Sequence, residues 1–143
     1  MRIITDKFDT LAQELQEALL KGYSENLKKE FLNPQNIGKI ENPDSWSKIT
    51  GECGDTVEMY LSIENGKIKD IKFWTDGCGF TIACCSYVTR VAKRKTIGEA
   101  YRMKPKDVDA FFGGLPEENK HCAYLSVNSL KSAIQTYARV HTR

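Results

Sequence analysis

Residues 56–64 read Thr-Val-Glu-Met-Tyr-Leu-Ser-Ile-Glu. Val57, Met59, Leu61 and Ile63 fall on one face of that stretch and Glu58, Tyr60, Ser62 and Glu64 on the other. A period of two marks a half-buried strand. Asn65-Gly66 follows, a pair suited to the left-handed backbone of a two-residue hairpin turn. Lys67 to Thr75 is then the returning strand. A two-residue turn sets Ile63 opposite Ile68, which leaves Ile71 and Phe73 on the other face from Ile68. A bulge near Lys69-Asp70, or a longer loop, restores a single apolar face. Ser47 to Thr50 is available as a third antiparallel strand. A sheet this small, apolar on one side, needs helices to cover it.

The rest of the chain supplies helices. Phe8, Leu11, Ala12, Leu15, Leu19 and Tyr23 recur at helical spacing and predict an amphipathic helix near residues 6–21, broken by Gly22. Ser24 caps a short helix in which Leu27 and Phe31 share a face. Asn33-Pro34 ends it, because the residue before proline disfavours the α conformation. Asn33 to Asp44 reads as loop. After Cys78, Phe80, Ala83, Tyr87, Val88 and Val91 follow a helical period. Thr96 caps a short helix over Ile97 to Met103, and Pro105 starts another carrying Val108, Phe111 and Phe112. Gly113-Gly114 stops that one. Val127, Leu130, Ile134 and Tyr137 define the last helix. The fold class is α+β: a small three-stranded antiparallel sheet packed against helices. One domain spans residues 23–143, with residues 1–22 as an N-terminal helical extension.

Composition removes several functions. The 143 residues suffice for one domain with a real core. No apolar run approaches the ~20 residues that span a bilayer. Met1 to Lys7 does not resemble a signal peptide. The expected compartment is therefore the cytoplasm, where thiols stay reduced. Net charge is only +2. The basic triplet Lys93-Arg94-Lys95 reads as a solvated helix end rather than a nucleic-acid surface. Five cysteines in a reducing compartment argue against a disulfide framework, and no Cys-x-x-Cys is present.

What remains is a set of five donors at breaks in the hydrophobic pattern: Cys53 and Asp55 in Gly-Glu-Cys-Gly-Asp, Cys78 in Gly-Cys-Gly, and His121-Cys122. Three thiolates with one harder ligand make a four-coordinate soft-metal site for zinc or iron–sulfur chemistry. In extended chain, positions i and i+2 point the same way, so Cys53 and Asp55 can face one point. Cys78 stands where a strand gives way to a helix N-terminus, which stabilises a thiolate. Adjacent residues do not share a helical face, so of His121 and Cys122 one is expected to ligate and the other to work at the rim. The fourth ligand is Asp55 or His121. Cys84 and Cys85 lie inside the same helix and read as small core residues. Gly77-x-Gly79-x-x-x-Ala83 imitates a dinucleotide turn, but its strand belongs to a hairpin and no second parallel strand follows.

Cys-Gly-Asp, Gly-Cys-Gly and His-Cys, in this order and spacing, resemble the NifU-like/IscU-like iron–sulfur cluster assembly scaffolds. Tyr23-Ser24-Glu25, Asn33-Pro34-x-Asn36-x-Gly38 and Asn42-Pro43-Asp44 extend the resemblance over roughly residues 23–140. It implies a SufE/NifU-like fold on which a transient [2Fe–2S] cluster is built from iron and then handed on to acceptor apoproteins. It implies Cys53, Cys78 and Cys122 as cluster cysteines, Asp55 as the aspartate beside the cluster and His121 as the family's histidine. It also implies a cysteine desulfurase as sulfur source, zinc in the cluster-free form, and a monomer or weak homodimer without turnover of its own. Scaffolds served by a dedicated Hsp70 pair carry Leu-Pro-Pro-Val-Lys before His-Cys. Here Leu115-Pro116-Glu117-Glu118-Asn119-Lys120 stands in that place, which argues against that handover. With the chain ending at Arg143, the expectation is the scaffold domain alone, without the further cluster-binding domains of longer NifU chains. The rival functions are a zinc-binding interaction module on the same ligands and a thiol sulfurtransferase using Cys122.

Overall fold

The sheet follows the alternation in the sequence. A computed structural model describes residues 22–141, so the helix expected over residues 6–21 lies outside the described residues. Strands β1 (Ser45–Thr50), β2 (Thr56–Glu64) and β3 (Lys67–Thr75) lie side by side in that order, antiparallel throughout. Asn65 and Gly66 both take positive φ, and Ile63 pairs with Ile68 across them. Ser62 then pairs with Asp70, so Lys69 is the extra residue of a bulge. The bulge brings Ile68, Ile71 and Phe73 to the same side as Val57, Met59 and Leu61, and all six are buried.

Tyr60 departs from the simple alternation. It lies on the outward face, yet it is buried, because Trp46 opposite it in β1 stacks on its ring at 6.1 Å. Its hydroxyl donates to Glu58. Burial, then that carboxylate, pushes the phenol up to about 12.

Helix α1 (Glu25–Leu32) starts at Ser24, whose hydroxyl accepts from the Leu27 amide. The following segment is not wholly loop. Asn36 and Gly38 exchange backbone hydrogen bonds with Phe73, and Arg94 and Lys95 do the same with Ile68. The outer edge of β3 is thereby covered at both ends, and the basic triplet is tied to the sheet by its backbone. Helices α2 (Gly79–Ala92), α3 (Ile97–Tyr101) and α4 (Pro105–Phe111) follow, then a 3-10 turn (Glu117–Asn119) and α5 (Lys120–His141). Thr96 and Glu99 form a capping box on α3, and Gly113 and Gly114 close α4 with positive φ.

Helix α5 packs along the inner face of the sheet and against α2. Its buried side includes Ala123, Ser126, Ser129 and Ala133, small enough to let the strand approach closely. There Ser45 donates to the Ala133 carbonyl at 2.6 Å and Ser47 to that of Ser129 at 2.7 Å. This packing sets the first turn of α5 beside the first turn of α2.

Candidate metal centre

Three breaks in secondary structure meet at one end of the sheet. The first is the turn between β1 and β2. The Gly51 amide donates to the Asp55 carbonyl at 2.8 Å and the Gly54 amide to that of Gly51 at 3.0 Å. Cys53 and Asp55 therefore project from a closed turn, not from extended chain as the sequence suggested. Gly54, at φ +89°, supplies the left-handed step that turns both side chains the same way.

The second break is the junction of β3 and α2, where Cys78 is the N-cap residue and no side chain caps the helix. Its flanking glycines have steric causes. A Cβ on Gly79 would lie 1.7 Å from the Phe31 ring, and one on Gly77 would lie 2.9 Å from the Thr81 side chain. The third break is the start of α5. Asp109 accepts from the Leu115 amide at 2.7 Å and from the Lys120 ammonium at 3.3 Å, which fixes the loop leading into His121 and Cys122.

Cys53, Asp55 and His121 form the tight part of the site, and Cys122 and Cys78 border it. His121 Nε2 lies 3.0 Å from Cys53 Sγ and 3.6 Å from Cys122 Sγ. The ligand atoms of Cys53, Asp55 and His121 are all within 4.8 Å of one another. Thr81 Oγ1 lies 3.3 Å from Cys122 Sγ, 3.5 Å from Asp55 Oδ2 and 3.8 Å from Cys78 Sγ. His121 and Cys122 stand differently: the imidazole belongs to the tight group with Cys53 and Asp55, and the Cys122 sulfur borders it. They occupy the first turn of α5, where the imidazole reaches back over the neighbouring thiol.

The donors differ in access. Cys53 and Cys78 are exposed, whereas Cys122 is buried where the first turns of α2 and α5 meet, rather than leaving the core at its helix boundary. Burial pushes its thiol up to about 12. The Thr81 hydroxyl pulls the other way, and the sulfurs of Cys78 and Cys53 add to the rise. A cation reverses that balance, since a coordinated thiol gives up its proton. Cys84 and Cys85 are fully buried core residues, and burial raises both thiols. A cleft of about 560 Å³ opens beside His121, between Ile49, Thr50 and Glu52 on one side and Tyr124, Leu125 and Asn128 on the other.

Thr81 is the residue that sequence reasoning missed. Its signal was Cys78-x-x-Thr81, a hydroxyl one turn into the helix that Cys78 caps.

The model of the NifU-like N terminal domain family matches residues 22–143. The chain belongs to this family. Iron-sulfur cluster assembly scaffold protein IscU 1 of Archaeoglobus fulgidus is 40% identical over 118 residues, 82% of this chain and 77% of that protein. Iron sulfur cluster assembly protein 1, mitochondrial, of Yarrowia lipolytica is 36% identical over 122 residues, 82% of this chain and 67% of that one. Among solved structures, the N-terminal part of a nitrogen-fixing NifU-like protein from Brucella abortus superposes with a TM-score of 0.69 over 81% of this chain and 94% of that one. At 17% identity that likeness concerns the fold. No described helix is long and apolar enough to cross a membrane.

Proposed function

We propose that this chain is an iron–sulfur cluster assembly scaffold that builds a [2Fe–2S] cluster at Cys53, Cys78 and Cys122, with Asp55 and His121 beside it, and passes it to acceptor apoproteins. The observation that carries this reading is the convergence of three thiols, a carboxylate and an imidazole from three chain breaks. The cluster is cargo. The chain supplies donors and geometry, not a turnover of its own.

The access gradient suits that task. Cys122 anchors from inside, while Cys53 and Cys78 face solvent, where iron and sulfur arrive and the finished cluster leaves. Asp55 is a harder and weaker donor for a soft site than a thiolate, which keeps the assembly labile. The same donors accept zinc at ~2.0–2.3 Å when no cluster is bound. A sulfurtransferase role for Cys122 is disfavoured by its burial and raised pKa, since the thiolate is the nucleophile.

The partners follow from the same site. A cysteine desulfurase docks over the cleft beside His121 and delivers sulfur to the exposed thiols. Glu117 and Glu118 are exposed on the 3-10 turn, so an apolar chaperone groove would have to strip water from two carboxylates there. Release therefore does not depend on a dedicated Hsp70. The scaffold domain starts near residue 23 and acts as a monomer or weak homodimer in the cytoplasm, although relatives include a mitochondrial protein.

The test is anaerobic incubation of the chain with ferrous iron, cysteine, a cysteine desulfurase and a thiol reductant; per cluster, the two irons together and the thiol each give two of the four electrons that bring two persulfide sulfurs to sulfide. Visible absorbance of a [2Fe–2S] cluster should appear and should be lost on replacing any of Cys53, Cys78 or Cys122 by Ala. Zinc binding without cluster formation would favour the interaction module, and dependence on Cys122 alone the sulfurtransferase.

A further inference from the structure

On the described helices, most other serine and threonine hydroxyls are satisfied within their own helix, Ser86 on Glu30 being an exception. Thr89 donates to the carbonyls of Cys85 and Ser86, Ser129 to that of Leu125 and Thr136 to that of Ser132. Such back-bonding is the ordinary fate of a buried helical Ser or Thr. Thr81, fully buried in the first turn of α2, does otherwise. Its Oγ1 faces Asp55 from the β1–β2 turn, Cys122 from α5 and Cys78 from its own N-cap. It is the atom on which the three breaks meet.

We infer that Thr81 is a positioning residue of the metal site: its hydroxyl aims two thiols and a carboxylate at one ion. The inference rests on the proposed ligand set and adds a residue outside it. A hydroxyl has one proton and two lone pairs. Three neighbours match that capacity: the carboxylate accepts the proton, and the two thiols donate to the oxygen. Once thiolates hold an ion they have no proton to give. The single hydroxyl proton can then turn to the Cys122 sulfur and free Asp55 to ligate. The fold makes room for this arrangement, since any side chain at position 77 would collide with Thr81. The first glycine of Gly-Cys-Gly therefore serves the threonine as well as the cysteine.

The test uses the full chain, prepared metal-free under anaerobic conditions, with Zn²⁺ and Co²⁺ as probes. Affinities come from chelator competition, and the Co²⁺ spectrum reports thiolate-to-metal charge transfer. Thr81→Val keeps size and branching but removes the hydroxyl. It should weaken both metals by about 10–100-fold, the usual cost of losing a hydrogen bond to a ligand, and should change the Co²⁺ spectrum. Thr81→Ser keeps the hydroxyl and should restore wild-type affinity and spectrum. Metal-free thermal unfolding checks that the valine variant folds, and Thr81→Ala takes its place if it does not. A hydroxyl-free variant with wild-type affinity and spectrum overturns this inference and leaves the metal site standing. So does a serine variant as weak as the valine one. A wild-type chain without thiolate-to-cobalt bands overturns the site itself, and the inference with it.

Discussion

Helix α2 carries two polar clusters built in opposite ways. At its middle, the buried carboxylate of Glu30 from α1 accepts hydrogen bonds on both of its oxygens. Ser86 donates to it at 2.5 Å, Arg90 Nε at 3.0 Å, and a second guanidinium nitrogen completes the pair. The Gln35 amide in turn donates to Ser86, and Asn36 to Thr89. The Arg90 guanidinium lies over the rings of Tyr87 and Phe111. At its N-terminal end, Cys78, Cys122 and Asp55 meet on the Thr81 hydroxyl, and His121 meets Cys53 and Cys122, in contacts of 3.0 to 3.8 Å, most of them to sulfur. The first cluster spends its hydrogen-bonding capacity on the fold. The second keeps soft donors weakly occupied and close together, which is what a metal ion needs. Burial alone does not separate structural from functional polar groups; how fully they are satisfied does.

The strongest way to break this contrast is a pair of substitutions with opposite signatures. Cys122→Ala should cost about 3 kcal/mol of zinc affinity, a quarter of the roughly 10–16 kcal/mol that four ligands supply together, and lower metal-free stability by only about 1 kcal/mol, for the small cavity left by a buried sulfur. Arg90→Ala leaves the Glu30 charge buried with only Ser86. It should lower stability by about 2–3 kcal/mol, below the full cost of breaking a buried pair because Arg90 is partly exposed, with zinc affinity unchanged. Chelator competition and denaturant unfolding read both. Equal effects of the two variants on both measurements would dissolve the distinction.

The next effect is one of pH. The Cys122 thiol is held up to about 12 in the fold, against about 8.5 for a free cysteine. The folded state thus binds this proton more tightly than the unfolded chain. Its contribution to metal-free stability is fully present below about pH 8.5 and is lost as pH climbs toward 12. Zinc must displace that proton, so apparent affinity should rise from pH 6 to 8, by up to about tenfold per unit for each proton released. Affinity flat over that range would mean that Cys122 does not ligate.

Asp55→Ala should act more gently: a loaded cluster should persist longer during transfer to an acceptor, followed by loss of scaffold absorbance. Equal or faster transfer in the variant would remove the role assigned to the carboxylate. Smallest of all at the site, replacing Cys84 and Cys85 by Ser and Ala should leave metal stoichiometry unchanged while lowering stability by about 1–3 kcal/mol, through cavity and buried hydroxyl. Loss of a metal equivalent would make either of them a ligand and erase the boundary between core and site.

The parts legible in the chain were those governed by local backbone chemistry. Asn65-Gly66 named its turn, the alternation called for a bulge near Lys69-Asp70 or a longer loop, and Ser24, Thr96 and Pro105 marked helix starts. The parts that were not legible depend on neighbours remote in sequence. Tyr60 sits at a solvent-facing position of the central strand and is buried with Trp46 stacked on it from β1. Cys53 and Asp55 looked like extended chain because a left-handed glycine and a strand direction both leave i and i+2 on one side. The pairing of Asn36 and Gly38 with Phe73 looked like loop, since nothing local announces a strand edge in need of cover.

The sequence by itself determined which donors exist and where the chain must break. Thiols, carboxylate and imidazole are readable letter by letter, and Gly and Asn set φ within one residue. Only the tertiary structure decided which of them share space. Thr81 and Cys122 are 41 residues apart, and Cys53 and His121 are 68 apart. Their separations of 3.3 and 3.0 Å are set by α5 packing on α2 and the sheet. That packing is a property of the whole core, so no short window of sequence carries it. This is why the candidate donors could be named in advance, while the buried hydroxyl among them could not.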